Sequence, residues 1–275
     1  MTVEFELQVS TKPTRLLAIA GSDSSGGAGI QADFKTASAL GVYAMTAVTA
    51  VTAQDTTSVG AIQFVPPAIV REQIERCLAD IGADAIKIGM LGSAEIALTV
   101  ARTLAAHAQK IPLVVDPVMV ASSGAALADD GVVAILKSDL FPRAALIMPN
   151  LPEAARLCGF AVATPPQIAR AATALLSHGP EAVLIKGGHG ADDVLTDWLF
   201  PKMGLPKAFS TPRIDTRHTH GTGCTLSTAI ACGLGQGLAL DEAVARAHAF
   251  VQQAIRTAPG FGAGHGPLNH LPPSP

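Results

Sequence analysis

AIVREQIERCLADIGADAIKIGMLGS, residues 68–93, contains in one short stretch the pattern that decides the fold. Its first part predicts a helix over 68–81, because apolar side chains at helical spacing form one stripe, made of Ile69, Val70, Ile74, Leu78 and Ile81. The segment Ala85–Ile88 predicts a strand, and glycine follows it at once. A helix that leads into a strand and then into a glycine-rich loop is one unit of a parallel α/β sheet.

The same alternation continues along the rest of the chain. Apolar and β-branched runs predict further strands at Leu16–Ala20, Met45–Ala53, Pro112–Asp116, Ala145–Met148 and Ala182–Lys186. Helical spacing predicts helices at 95–108, 129–140, 151–158, 167–178 and 241–257. Residues 193–215 contain turn-forming proline and glycine and predict an antiparallel hairpin at the sheet edge. We therefore expect an α/β fold with a doubly wound, mainly parallel central sheet.

The composition bounds the class of protein. The 275 residues are 49% hydrophobic and 15% charged, which excludes a disordered chain and allows a deep core. A net charge of −3 predicts no nucleic-acid partner. No repeat, charge run or linker divides the sequence, so we expect a flexible N-terminal extension at 1–14 and a single domain at 15–275.

Two uncharged stretches, 36–54 and 221–240, have about the length of a membrane span. Threonines and alanines weaken the first and glycines interrupt the second, so we expect no membrane contact. The four cysteines form no CxxC pair, and no cluster of His and Cys has zinc spacing. With no apolar signal segment before residue 15, these features predict a reducing, cytoplasmic location.

Residues that directly follow the predicted strands are the informative ones, because a doubly wound sheet binds ligands beyond the carboxyl ends of its strands. These positions are rich in glycine and in polar side chains, whereas the strands themselves are apolar. They are Gly21-Ser22-Asp23, Gln54-Asp55, Gly89–Gly92, Asp116-Pro117-Val118, Asn150–Glu153 and Lys186–His189. The sequence thus predicts a polar ligand site along this edge.

The first glycine cluster, GSDSSGGAGIQAD at 21–33, resembles two nucleotide motifs only superficially. Its GAGIQA segment matches GxGxxA, but it lies six residues after the strand, where a dinucleotide fold places its first glycine directly after it. A P-loop is excluded because Phe34 stands where that motif needs glycine. A glycine-rich loop that caps a helix from about residue 28 explains the cluster, except for Asp33, for which helix-dipole stabilisation is a partial reason.

The second cluster, THGTGC at 219–224, precedes an apolar helix predicted at 225–233. Successive amides around Gly221 and Gly223, at a helix N-terminus, form an anion site, and glycine lets the backbone approach a phosphate closely. The alternative is a glycine-bent entry to a buried helix with Cys224 as a small apolar side chain. We favour the anion site, where an exposed Cys224 thiol would have a lowered pKa.

Charged residues after three other strands complete a phosphate-binding set. Glu153, with Asp116 as a second carboxylate, could hold the waters of a magnesium ion. Lys186 is a cation suited to a phosphate. Asn150 and Glu153 also have the spacing of a capping box, so a purely structural role stays open for this pair.

The eight histidines have no HExxH or other metal-ligand spacing. Their positions predict that His107, His178 and His248 are solvated helix residues. His220 and His189 border glycine loops, where contact with a phosphate and a role within the loop are equally open.

Seven motifs in one order carry a family resemblance: GSDSSGGAGIQADFKT (21–36), TAVTAQDT (49–56), KIGMLGS (87–93), VVDPVM (114–119), MPNLPEA (148–154), IKGGH (185–189) and HTHGTGC (218–224). Together they resemble the hydroxymethylpyrimidine/phosphomethylpyrimidine kinases of thiamine biosynthesis, in the ribokinase-like superfamily. The likeness extends over about residues 15–271. It implies a three-layer αβα fold, usually a homodimer, that uses ATP and Mg²⁺ to phosphorylate 4-amino-5-hydroxymethyl-2-methylpyrimidine and then its monophosphate.

The resemblance also implies roles for individual residues. The substrate-binding residues would be Asp33 and Gln54, which hydrogen-bond the aminopyrimidine, Gly21 through its backbone, and Met90 and Val118, which pack against the ring. The catalytic residues would be Gly221, Thr222, Gly223 and Cys224, as an anion hole, and Lys186. ATP would contact Lys186, Asn150, Thr222 and Gly223. The metal would be held by Glu153 and Asp116, through water.

One position departs from the wider superfamily. Sugar kinases of this fold have an aspartate, the base for the acceptor hydroxyl, where this chain has Cys224. A thiolate could accept a proton, but an ionised phosphate acceptor needs no base. We therefore expect Cys224 to matter more for the first phosphorylation than for the second.

Three other functions give different expectations. A pyridoxal kinase, or an enzyme that accepts both rings, would use the same fold, although Asp33 with Gln54 suits an aminopyrimidine better. A non-catalytic nucleotide- or precursor-binding regulator would not need the lysine, the carboxylate and the GTGC motif together. A dehydrogenase would need the dinucleotide motif rejected above.

Overall fold

The computed structural model describes residues 12–119, 129–187 and 193–271. Its strands are β1 Arg15–Asp23, β2 Tyr43–Gln54, β3 Val59–Phe64, β4 Ala85–Ile88, β5 Leu113–Val115, β6 Leu146–Ile147, β7 Ala182–Ile185, β8 Val194–Pro201 and β9 Lys207–Pro212. They form one sheet in the order β3-β2-β1-β4-β5-β6-β7-β8-β9. The six strands from β2 to β7 in this order are parallel, and β3, β8 and β9 pair antiparallel.

The α-helices in the described residues are α1 Gly29–Ala39, α2 Pro67–Arg76, α3 Ala94–His107, α4 Asp130–Ile135, α5 Leu151–Cys158, α6 Pro165–Leu176, α7 Thr222–Gly235 and α8 Leu240–Arg256. A π-helical turn, Cys77–Ile81, extends α2, and the turns Leu136–Leu140 and Phe141–Arg143 extend α4. Among the described residues no helix is both long enough and apolar enough to cross a membrane.

The helices cover both faces of the sheet, and β1 shows how the sequence achieves this. Leu17 and Ile19 are buried in the core that β1 shares with α2 to α6, whereas Leu16 is buried in the core that contains α1, α7 and α8. Because successive side chains of a strand point to opposite faces, a continuous apolar run fills both cores. The observed three-layer αβα arrangement confirms the expected fold.

The predicted strands are all present, and the 193–215 hairpin is confirmed as β8 and β9 at the sheet edge. The sequence analysis missed β3, because this edge strand is largely exposed, contains Gly60 and has no apolar run. Most of the predicted extension, residues 1–11, lies outside the described residues, as does His189. The single-domain division at 15–275 stays a prediction.

The topology brings the ends of the central strands and two helix N-termini to one edge. A bridge between Asn150 and Lys186 places the start of α5 beside the end of β7. A second bridge, between His220 and Pro267, holds the residues before α7 against the segment after α8. This edge is where the sequence predicts the ligand site.

Candidate active site

A cavity of about 790 Å³ opens at the carboxyl edge of the sheet. Its wall contains every site residue predicted from the sequence except Asp33, namely Gly21, Gln54, Met90, Asp116, Val118, Asn150, Glu153, Lys186, Gly221, Thr222, Gly223 and Cys224. This volume lies within the range of small-molecule and cofactor sites. The cavity therefore lies beyond the carboxyl ends of the strands, where a doubly wound sheet is expected to bind ligands.

Glycine is required at the entry to α7 for two reasons. Gly221, the residue before the helix, has φ +86°, a left-handed conformation that other residues rarely adopt. A side-chain carbon at Gly221 would also lie 1.8 Å from the carbonyl oxygen of Gly27. The two glycine clusters of the sequence are thus packed against each other, backbone to backbone. Their contact leaves the first turn of α7 facing the cavity, where its N–H groups and the helix dipole can bind an anion.

Lys186 and Asp116 lie beside this first turn. The Lys186 Nζ donates to Asp116 Oδ1 at 2.7 Å and lies 3.9 Å from Glu153 Oε2. A side-chain carbon at Gly223 would be 3.6 Å from the same Nζ and 3.4 Å from Asp116 Oδ2. Burial alone would lower the pKa of Lys186, but attraction to Asp116 and Glu153 outweighs it and raises that pKa. A charged ammonium and a helix N-terminus therefore converge on one small volume.

Glu153 has the structural role that the sequence left open, and its role in binding a metal ion stays a prediction. It forms a capping box with Asn150, whose side chain accepts from the Glu153 N–H at 2.8 Å, while Glu153 Oε2 accepts from the Asn150 N–H at 2.8 Å. It also lines the cavity next to Asp116. Burial raises the pKa of Glu153 to about 7, since the attraction of Lys186 offsets only part of the burial and Asp116 adds repulsion. Two neighbouring carboxyl groups, one of which has a raised pKa, are suited to bind a divalent cation.

The opposite end of the predicted set, Gly21, Gln54 and Met90, also faces the cavity. The Met90 sulfur would lie 3.2 Å from a side-chain carbon at Gly21, so the glycine leaves room for the thioether. The Gln54 backbone is fixed by Ser24, which accepts from its N–H at 2.8 Å and donates to its carbonyl at 2.7 Å. This region offers an apolar surface and one amide, a combination that suits a flat heterocycle.

Asp33 is not in the cavity wall, and this corrects the expectation that it contacts substrate. Its carboxylate is fully buried and accepts from Lys87 Nζ at 2.8 and 2.9 Å and from the Thr228 hydroxyl at 2.6 Å. Burial raises the pKa of Asp33, and Lys87 opposes that effect. Three hydrogen bonds are donated to the Asp33 carboxylate, and they favour its ionised form paired with a charged lysine.

Cys224 is half-buried, and its pKa is not lowered as an exposed thiol at a helix N-terminus would be. Burial raises the pKa to about 11, although Lys87 acts in the opposite direction. The free protein therefore has a neutral thiol at this position near neutral pH.

The segment after α8 closes this side of the site. The His265 N–H donates to the Thr56 carbonyl at 2.8 Å, and the Gly264 N–H donates to the Thr56 hydroxyl at 3.2 Å. The His220 N–H in turn donates to the Gly266 carbonyl at 3.1 Å. Residues 264–266 thus link the turn after β2 to the residues that precede α7.

A model of the phosphomethylpyrimidine kinase family matches residues 23–269. The chain belongs to this family. It is therefore a kinase of the ribokinase-like fold, as its resemblance implied.

Individual relatives agree with this family assignment. A hydroxymethylpyrimidine/phosphomethylpyrimidine kinase from Rhizobium meliloti is 46% identical over 258 residues, which cover 93% of this chain and 96% of that protein. The thiamine biosynthesis bifunctional protein ThiED from Geobacter sulfurreducens is 47% identical over 256 residues, 93% of this chain but 52% of that longer protein. Among solved structures, a pyridoxal kinase from Staphylococcus aureus in complex with AMP-PCP and pyridoxal has a TM-score of 0.86 at 33% identity, with 94% of each chain covered.

Sequence reasoning missed three polar groups of this kinase. Lys87 and its role beneath the site could have been inferred, because a lysine inside the short strand Ala85–Ile88 needs a buried counter-ion. His248 was expected to be solvated, but it is largely buried, lines the cavity and lies 3.2 Å from Asp197. Asp23 was noted only as a strand-end residue, and it pairs with His220 at 2.8 Å.

Proposed function

We propose that this kinase transfers the γ-phosphoryl group of ATP twice, first to the hydroxymethyl group of 4-amino-5-hydroxymethyl-2-methylpyrimidine and then to the phosphate of the product. The second product would be the pyrophosphate used to build thiamine. The observation that carries this proposal is the convergence of Lys186, Asp116 and the Gly223 backbone in a cavity that also contains Gln54 and Met90. Phosphoryl transfer depends mainly on positioning and charge stabilisation, which such a set supplies.

The phosphates of ATP would occupy the region between Lys186 and the start of α7. Asp116 accepts a hydrogen bond from one of the three N–H groups of the Lys186 ammonium. The other N–H groups remain as donors for phosphate oxygens. The first-turn amides, around Thr222 and Gly223, would bind the oxygens that gain charge during transfer. Asn150 stands next to Lys186 through the bridge between them and would contribute to the same pocket.

Magnesium fits the carboxylates present. It usually keeps several waters and takes one or two carboxylates, and Asp116 and Glu153 are two such groups beside the ammonium. We propose that they hold the ion through water. When bound, magnesium would neutralise charge on the phosphate oxygens.

The acceptor would lie on the Gln54 side, with its ring against Met90 and Val118 and over the backbone of Gly21. In the first reaction the hydroxyl oxygen forms a bond to the γ-phosphorus, the bond from that phosphorus to ADP breaks, and the hydroxyl proton leaves. In the second reaction the attacking oxygen is already ionised. We propose that the Cys224 thiolate, a small fraction at neutral pH because the thiol pKa is about 11, accepts the hydroxyl proton in the first reaction only.

We propose a homodimer through the outer face of β2 and β3. Val51 lies on this face opposite Gln63 and is 53% exposed, and an exposed aliphatic side chain on a sheet face favours a partner surface. Light scattering tests this, and Val51→Lys should shift the molecule toward the monomer.

For location we propose the cytoplasm, which agrees with four free thiols at Cys77, Cys158, Cys224 and Cys232.

A second candidate activity is phosphorylation of pyridoxal. The structural likeness to the pyridoxal kinase crystallised with pyridoxal favours it. A comparison of kcat/KM for the two alcohols decides between the activities, and we expect the aminopyrimidine to be the better substrate.

The direct test incubates the protein with MgATP and the hydroxymethylpyrimidine and resolves the products by mass. Two successive additions of one phosphate each are expected. A single addition would limit the activity to the first step, and no addition would leave a binding protein.

A further inference from the structure

Gln54 is the one amide side chain that the proposed function places against the pyrimidine, and the direction of that amide decides which ring it can recognise. A carboxamide presents a donor on one side and an acceptor on the other. The aminopyrimidine presents a donor, its amino group, beside an acceptor, its ring nitrogen. The match requires that something in the protein fixes which way the amide points.

The neighbours of Gln54 are Thr52 and His220. The amide nitrogen of Gln54 lies 3.3 Å from His220 Nε2, and its oxygen lies 3.4 Å from the Thr52 hydroxyl. The two ends of a carboxamide have nearly the same shape, so hydrogen bonding decides which end faces which neighbour.

Asp23 determines the proton on His220 Nε2. Its Oδ2 lies 2.8 Å from that nitrogen. Burial alone would raise the pKa of Asp23, but hydrogen bonds from His220, Ser25 and the Ala28 backbone outweigh it and lower the pKa to about 2. Because an ionised carboxylate only accepts hydrogen bonds, Nε2 must carry a hydrogen and donate it.

An Nε2–H group cannot accept a hydrogen bond from the Gln54 amide nitrogen. The Thr52 hydroxyl has one hydrogen, and it donates that hydrogen to the Ser22 carbonyl at 2.9 Å. Both conflicts vanish if the Gln54 amide is turned by 180°. Its oxygen then faces the Nε2–H, which donates mainly to Asp23 at 2.8 Å and is shared with the amide at 3.3 Å, and its nitrogen donates to the Thr52 oxygen. In this orientation no two donors and no two acceptors face each other.

We propose that Asp23 and His220 hold the Gln54 amide with its oxygen toward His220, which makes His220 a positioning residue for ring specificity. This inference rests on the proposed function. The remaining lone pair and N–H of the amide would face the amino group and ring nitrogen of the substrate. The 4-oxo analogue, 5-hydroxymethyl-2-methylpyrimidin-4-one, reverses this pattern, since it presents an acceptor beside an N–H.

The experiment compares kcat/KM for the 4-amino and 4-oxo alcohols in the wild type and in His220→Phe. Phenylalanine keeps a ring beside Gly27, which contacts the His220 ring, and it lacks the N–H. The wild type should prefer the amino compound by about 100-fold, since the oxo compound leaves buried donors and acceptors unpaired. In His220→Phe the amide can turn, and this preference should fall to about tenfold or less, mainly through a higher KM for the amino compound.

A ratio of two substrates separates positioning from general damage, because a distorted site lowers both rates together. An unchanged ratio in His220→Phe would overturn the inference. Should that variant not fold, calorimetric binding of the two compounds to the wild type decides, and equal affinities would also overturn it. Failure of the proposed function looks different, because the wild type would then phosphorylate neither compound.

Discussion

Lys87 and Lys186 are both buried lysines paired with an aspartate, and their surroundings differ in one respect. Lys87 and Asp33 have fully buried side chains, and the Thr228 hydroxyl completes the carboxylate's hydrogen bonds. Lys186 is 13% exposed, and its partners Asp116 and Glu153 are 2% and 8% exposed. The first pair lies wholly within the protein, whereas the second borders the cavity.

This difference separates structure from function. A sealed ion pair has no contact with a ligand, and loss of one partner leaves an uncompensated charge in the interior. An ion pair on a cavity wall can exchange partners with a ligand and remains accessible to water. We therefore expect substitutions in the first pair to affect mainly stability and substitutions in the second to affect mainly activity.

The largest effect is expected for Lys87→Met, which leaves Asp33 buried without its cation. The free energy of unfolding should fall by about 3–5 kcal/mol, as is usual when one partner of a buried pair is removed. Urea denaturation measures this loss. The double variant Asp33→Asn with Lys87→Met is the matched control and should recover most of it. A loss below about 1 kcal/mol in the single variant would mean that the pair is not ionised.

Lys186→Met is expected to have the opposite profile. Loss of a cation that stabilises transferring phosphate should lower kcat/KM by about 10²–10³-fold. The free energy of unfolding should fall by less than in Lys87→Met, because the Lys186 pair borders the cavity whereas the Lys87 pair is fully enclosed. Steady-state kinetics and urea denaturation on the same preparation test both parts. A large loss of stability with normal kinetics would reverse the assignment of the two lysines.

Cys224→Ser sharpens the comparison, because the electrostatic environment of this thiol includes both aspartates, Asp33 and Asp116, as well as Lys87. With a pKa of about 11 the thiol is protonated at neutral pH, so its contribution as a base is smaller than usual. We expect about a tenfold loss in the first phosphorylation and less than about threefold in the second. Separate assays of the two acceptors measure this, and equal losses would exclude a role in removing the hydroxyl proton.

Glu153→Gln tests the ionisable groups around Lys186 through the pH dependence of stability. The unfolded carboxyl loses its proton near pH 4.5, whereas the folded one keeps it to about pH 7. The folded state thus binds more protons in this window, so Glu153 makes stability fall as pH rises from about 4.5 to about 7. In Glu153→Gln this contribution should vanish, a difference of about 3 kcal/mol between the ends of the window. Thermal unfolding at several pH values checks it, and parallel pH profiles in both proteins would contradict the raised pKa.

The sequence could predict the Lys186–Asp116 pair, which borders the cavity, but not the fully buried Lys87–Asp33 pair. Lys186 and Asp116 directly follow strands, and the rule that ligands bind beyond strand ends makes such residues recognisable without coordinates. Asp33 lies within a helix, and its partners are 54 and 195 positions away, so its direction depends on how α1 and α7 pack on the sheet. A family resemblance then assigned it to the substrate, although its carboxylate points into the interior.

The pairing of Asp23 with His220 escaped prediction for the same reason. Both residues were visible beside glycine loops, but only the contact of the two loops, fixed by Gly221 against Gly27, brings them together. Strands with both faces covered were predicted well because their apolar runs are unambiguous. The edge strand β3 was not, since an exposed edge imposes little pattern on its side chains.

The links that close the site join distant parts of the polypeptide. Asp23 and His220 are 197 positions apart, and Thr56 and Gly264 are 208 apart. Contacts of such separation carry a larger loop-closure entropy than local contacts, and we expect them to form late during folding. In a refolding experiment, the far-ultraviolet circular dichroism signal should therefore recover before catalytic turnover does. The interval between the two would measure the time from formation of the sheet to docking of residues 264–266.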